Sequence, residues 1–250
     1  MNILDLVINE KEPTLLEDVR LSDHNRKDIS ALLKEHQYIE ELSKYGLPVN
    51  NKLFLYGSSG CGKTMTAKAI AQALKKPLLV LNLSNIVCSK IGETAQNLKL
   101  VFDKAAREKA VLFLDEFDHI GKSRAMDDTD VGEMKRLVNT LLQLIDYFPG
   151  NSLLIAATNH IEVIDHALLR RFQLRIGYQM PAREQLDAYY DELLSRFPPA
   201  LQDIDRSYDI SYAEAKDTAM TQVKSSLIAQ LESQQERAFN IDEGPLSRVN

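Results

Sequence analysis

Cysteine is scarce in this 250-residue chain, which has only Cys61 and Cys88. They form no CxxC pair and no metal-ligand spacing, so neither a disulfide framework nor a zinc cluster is supported, which fits a reducing compartment. Glycine and proline are also few, ten and eight, which excludes a collagen-like or linker-like chain. No apolar run approaches the ~18 residues that a membrane span needs. The start, MNILDLVINE, has no basic segment, and Asp5 interrupts its apolar stretch, so it does not read as a signal peptide. Positive charge is not in excess either. The 30 basic and 36 acidic groups leave a net charge of −6, which argues against a protein whose main work is gripping a nucleic-acid backbone. The expectation is a soluble cytoplasmic protein with no membrane contact and no nucleic acid as direct ligand.

What remains is ordinary globular usage, 44% hydrophobic and 26% charged, which excludes disorder as the main state. At ~150 residues per domain the length allows one to two domains. Apolar residues follow helical spacing from Ser22 to Tyr45, ending at Gly46 and Pro48. Short apolar runs then alternate with amphipathic stretches. Strands are expected at Leu53–Tyr56, Leu78–Leu83, Val111–Leu114, Leu153–Ala156 and Leu174–Ile176. Helices are expected after Thr64, over Thr94–Lys109 and over Glu133–Tyr147. Continuous apolar strands between helices predict an α/β parallel sheet covered on both faces. After Pro181 the strand pattern stops. Helices are expected over Arg183–Phe197 and Ser211–Glu232, the second opened by a Ser211/Glu214 capping box. The division is thus an unassigned arm at 1–20, a three-layer αβα core at 21–180, and a small all-helical domain with its tail at 181–250.

Gly57-Ser58-Ser59-Gly60-Cys61-Gly62-Lys63-Thr64 matches GxxxxGK[ST] between a strand and a helix. Glycines there let successive backbone N–H groups turn toward phosphate oxygens. Lys63 would reach the β- and γ-phosphates, and the Thr64 hydroxyl would ligate Mg²⁺. Leu112-Phe113-Leu114-Asp115-Glu116 sets two carboxylates at the C-terminal end of a buried strand, where open α/β sheets bind ligands. Asp115 would hold the Mg²⁺ shell and Glu116 would polarise an attacking water. Asn159 ends the fourth strand, where a polar group would orient the water or sense the γ-phosphate. Arg170 and Arg171 read either as surface charge near a helix end or as an arginine finger given to a neighbouring subunit. Asp118 is left unassigned, mere surface charge being the plain alternative. No NKxD guanine reader, LSGGQ signature, HExxH or GxSxG occurs.

Standing in this order, the motifs resemble an AAA-family ATPase (ATPases associated with diverse cellular activities) over roughly Leu21 to Leu231. GSSGCGKT is similar to Walker A and LFLDEFD to Walker B. RLVNTLLQLID, AATNH and DHALLRRF are similar to the second region of homology. The resemblance implies a P-loop NTPase core with a helical lid, ATP and Mg²⁺ as ligands, and a ring, of six copies by family habit. It also implies Glu116 as catalytic glutamate, Asn159 as sensor, and Arg170 and Arg171 as fingers acting in trans. Short stand-alone bacterial members are the nearest type, which implies a separately encoded partner. Family members separate the two arginines by a Pro-Gly or similar pair; here they are adjacent, which leaves open which one reaches phosphate. SKIGETAQNLKLVF resembles the first pore loop, with Lys90 where an aromatic residue is usual. Two functions therefore stay open, a ring that remodels or translocates protein and a nucleotide switch that controls a nuclease or protease effector without threading.

Overall fold

The structure, a computed structural model, describes residues 7–9, 14–84, 91–121 and 128–242. The chain divides into two compact units, Met1–Gln179 and Met180–Asn250. The first holds the strands β1 (Val7–Asn9), β2 (Lys52–Gly57), β3 (Leu78–Asn82), β4 (Val111–Asp115), β5 (Leu153–Thr158) and β6 (Leu174–Tyr178). They form one six-stranded sheet in the order β1-β3-β4-β5-β2-β6. The five strands from β2 to β6 are mutually parallel. β1, inside the arm left unassigned by sequence, adds an antiparallel edge with Val7 opposite Leu81. Three residues are too short to show a periodicity, so only the pairing reveals that strand.

The central strands are apolar between their ends because both faces are covered. Leu53, Leu55, Val111, Phe113 and Ile155 pack into one layer, and Phe54, Leu112, Leu114 and Leu154, one register step away, into the other. The first layer takes Ile29 and Leu32 from α1 (Asp23–Gln37) and Ala67 and Ile70 from α3 (Lys63–Ala73). The second takes Leu98 and Val101 from α4 (Ile91–Arg107) and Leu137, Leu141 and Ile145 from α6 (Asp128–Asp146). Each such side chain, fully buried, contributes about 1.5–3 kcal/mol. The helix expected over Ser22–Tyr45 breaks at Tyr38 into α1 and α2 (Ile39–Lys44). No residue of α2 is buried, so the apolar spacing continues there without a core to keep the helix straight. Short helices α5 (Asp118–Gly121) and α7 (His166–Leu169) complete this unit.

The second unit has α8 (Arg183–Leu194), a 3-10 turn at Pro199–Leu201 and α9 (Tyr212–Asp242). The Ser211/Glu214 pair exchanges its bonds, Ser211 N to Glu214 at 2.8 Å and Glu214 N to Ser211 Oγ at 3.3 Å. Leu186, Tyr190, Leu194, Leu201, Ala215, Ala219 and Val223 make a small core of its own. Such a core needs staples. The connecting loop supplies them. Arg206 pairs with Asp187 (3.0 Å) and Asp191, and the Tyr208 hydroxyl donates to Asp187 (2.8 Å).

Candidate active site

The loop between β2 and α3 is bent where side chains are excluded. Gly57 has φ +125, and a Cβ on it would lie 1.9 Å from the Tyr178 carbonyl oxygen. Gly60 (φ +70) and Gly62 (φ +105) also occupy the left-handed region that glycine favours. Lys63 opens α3, so it stands at a helix N-terminus, where the first backbone amides have no intrahelical acceptor. Lys63 is 8% exposed, and its ammonium donates to the Gly57 and Ser58 carbonyls at 2.7 and 2.8 Å. Burial holds its pKa below the ordinary lysine value, against the pull of Cys61, Asp115 and Asp118 nearby. Cys61 is buried, with its Sγ 3.5 Å from the Ser59 carbonyl, and packs into the α1–α3 layer. Ser59 and Thr64 are exposed.

Asp115 ends β4 and Thr158 ends β5. With β5 between β4 and β2, residues 115, 159 and 57–64 all sit at one edge of the sheet. The Thr64 hydroxyl is hydrogen-bonded to the Asp115 carboxylate, whose pKa burial raises. Asp115 Oδ1 also accepts from the Glu116 amide at 2.9 Å. Glu116 has φ +54, a costly conformation for a side-chain-bearing residue. Its neighbours hold it there, since Phe117 is fully buried and its amide donates to the Ala157 carbonyl at 2.9 Å. The Glu116 carboxylate is half-exposed, with His119 Nε2 3.6 Å away.

Asn159 is exposed, on a turn fixed from both sides. The Thr158 hydroxyl donates to Asp118 at 2.8 Å and accepts from the His160 amide at 2.9 Å. Asp118, left unassigned by sequence, is only 4% exposed and is not surface charge. It anchors the tip of β5 to the segment after β4.

Arg170 and Arg171 follow α7, at the other end of the sheet. The Gln173 amide donates to the carbonyl of Lys52, the first residue of β2, whereas the phosphate-type loop follows its last residue, Gly57. The six residues of β2 put roughly 16 Å between those ends. The two arginines differ. Arg171 pairs with Asp146 (3.1 Å) and donates to the Ala167 carbonyl (2.6 Å). The guanidinium of Arg170 is exposed and has no partner among the described residues. Sequence reasoning also missed a ring cluster. Phe54, Phe117 and Phe172 meet edge-on with centroids 5.0–5.9 Å apart, pinning the residues after Glu116 and after Arg171 to β2. The pore-loop stretch through Lys90 lies outside the described residues.

Among the described residues no group of three or more His, Cys, Asp or Glu could hold a metal ion by itself. Thr64 and Asp115 instead fit magnesium carried in with phosphate, which needs only one or two protein ligands. No helix among the described residues is long and apolar enough to cross a membrane.

The family model described as "ATPase family associated with various cellular activities (AAA)" matches residues 53–180, which span β2 to β6. An uncharacterized AAA family ATPase from Sinorhizobium fredii is 33% identical over 226 residues, covering 89% of this chain and 68% of the relative. A proteasome-activating nucleotidase from Thermococcus onnurineus is 36% identical over 203 residues, 72% of this chain but 50% of its own. The ATP-dependent zinc metalloprotease FtsH of Lachnoclostridium phytofermentans is 36% identical over 174 residues, 66% of this chain and 30% of its own. The chain thus spans half or less of the length of these last two relatives.

Proposed function

The chain belongs to the AAA family of ATPases, and on that premise we propose that it works as a ring, a hexamer by family resemblance. In that ring each bound ATP is completed by an arginine from the next subunit, and hydrolysis remodels or moves a protein substrate. One observation carries the reading. Arg170 is exposed and has no side-chain partner among the described residues, and three residues on Gln173 pairs with the start of β2 rather than with the end that carries the phosphate-type loop. In the proposed ring such a charge meets the γ-phosphate held by the neighbouring subunit.

In this reading Gly57, Ser58, Ser59, Gly60, Cys61 and Gly62 wrap the phosphates with backbone amides. Lys63 exchanges its two carbonyl partners for the β- and γ-phosphate oxygens. Thr64 and Asp115 are the protein's magnesium ligands, and a magnesium ion bound there would offset charge developing on the phosphates. Glu116 accepts a proton from the attacking water, and Asn159 orients that water beside the γ-phosphate. The bond from Asp118 to Thr158 keeps Asn159 in place. Arg170 is the finger, while Arg171, tied to Asp146 and Ala167, holds the segment at the right angle. The second unit serves as the lid.

Two relatives are named for work on proteins, a proteasome-activating nucleotidase and an ATP-dependent metalloprotease, which supports a protein substrate here. A nucleotide switch acting on a separately encoded effector is the second reading, favoured by Lys90 in place of an aromatic pore residue. Steady-state ATPase assays separate the two arginines. Arg170→Ala is expected to lower kcat by ~10³-fold or more. Arg171→Ala should lower it by a smaller factor, with added loss of stability. The reverse order would reject Arg170 as the finger.

A further inference from the structure

Tyr178 closes β6, is 6% exposed and touches both ends of the phosphate loop. Its backbone pairs with Gly57, the loop's first residue, so closely that a Cβ there would strike its carbonyl. Its side chain runs under the other end, where a Cβ on Gly62 would come 3.9 Å from the ring. The ring's hydroxyl is hydrogen-bonded to the Thr66 hydroxyl at 2.5 Å, and Thr66 is fully buried in the first turns of α3. Thr66 spends its single hydroxyl proton on the Gly62 carbonyl, 2.9 Å away. The Tyr178 hydroxyl is therefore the donor in their shared bond, and a continuous chain runs from Tyr178 through Thr66 to Gly62.

Gly62 precedes Lys63, and its peptide plane decides where the Lys63 amide points. Thr66 holds that plane twice, through its hydroxyl and through its amide, each 2.9 Å from the Gly62 oxygen. The strand carrying Tyr178 is tied on its other side, where Asn25 of α1 donates to the Gly177 carbonyl at 2.9 Å. The next residue, Gln179, is the last of the first unit.

We propose that Tyr178 is a positioning residue for the nucleotide: acting through Thr66, it fixes the Gly62 peptide and links the phosphate loop to the strand that leaves the first unit. This rests on the reading that residues 57–64 hold nucleotide phosphate. Burial raises the tyrosine's pKa far above its ordinary value, so the hydroxyl stays a donor throughout the working pH range. A loop held in its binding shape gains affinity because less ordering remains to be done when the ligand arrives.

The test is ADP binding by calorimetry with magnesium, on the whole chain, together with KM and kcat for ATP. Tyr178→Phe and Thr66→Val should each weaken ADP about tenfold. The double variant should be no weaker than the worse single one, as members of one chain behave. Thr66→Ser keeps the hydroxyl and should bind within about twofold of the unchanged protein. KM for ATP should rise by a larger factor than kcat falls. Unchanged ADP affinity in Tyr178→Phe, whether or not its melting temperature drops, overturns the proposal; so do additive losses. If Tyr178→Phe does not fold, equal binding by Thr66→Val and Thr66→Ser overturns it. Lys63→Ala is the control. Undiminished ADP binding in that variant would reject the phosphate site itself, whereas lost binding beside a silent Tyr178→Phe rejects the relay alone.

Discussion

Glu116 is the one residue whose role depends on a conformation that its neighbours impose. Its positive φ costs of order 1–3 kcal/mol, and a buried phenyl ring, a bond to Asp115 and the adjacent Phe117–Ala157 bond hold it. Its carboxylate is left half-exposed, reachable by water. Glu116→Gln preserves shape and removes the base, so ATP should still bind while hydrolysis falls ~10²–10⁴-fold. Filter binding alongside phosphate release checks this, and lost binding would count against the assignment. The phosphate loop and the carboxylate pair could be read from the sequence because each is a short run whose spacing is itself the chemistry. Asp118 and Tyr178 could not. One acts through Thr158, forty positions on, and the other through Thr66, more than a hundred positions back. No local pattern announces such a contact.

At the scale of elements, the parallel strands were readable because burial on both faces leaves them apolar throughout. β1 and the break at Tyr38 were not, because the first is set by a partner strand and the second by the lack of one. The ring cluster joins β2 to two functional segments at once. Phe172→Leu is expected to cost less than about 1.5 kcal/mol in a urea melt, yet to lower ATPase activity several-fold by loosening the aim of Arg170. Full activity would make Phe172 mere filling. At the end of α1, His36 Nε2 meets the Asn50 carbonyl at 2.9 Å, and its buried Nδ1 has no partner among the described residues. Burial chiefly, with Lys76, holds its pKa below the ordinary 6.5, and Asn50 and Glu35 oppose that. The unfolded chain therefore takes up the proton first. The stability due to His36 is complete above pH ~6.5 and declines as pH falls below it. His36→Gln should flatten the loss of melting temperature from pH 6.5 to 5; an unchanged slope would contradict this.

For the whole molecule, the separation along β2 is the deciding feature. One chain carries the phosphate-type loop after β2 and, ahead of β6, an arginine with no side-chain partner among the described residues; in the proposed ring the complete site needs two chains. Mixing two inactive variants tests that claim most directly. Arg170→Ala keeps its loop and its glutamate but offers no finger, and Glu116→Gln offers a finger but has no base. In a ring assembled from equal amounts, about a quarter of the boundaries join an intact loop to an intact finger. The account predicts that ATPase activity, absent from either variant alone, returns on mixing to that order of the unaltered protein's rate. A mixture as inactive as its components, while both still bind ATP and assemble together, would contradict it.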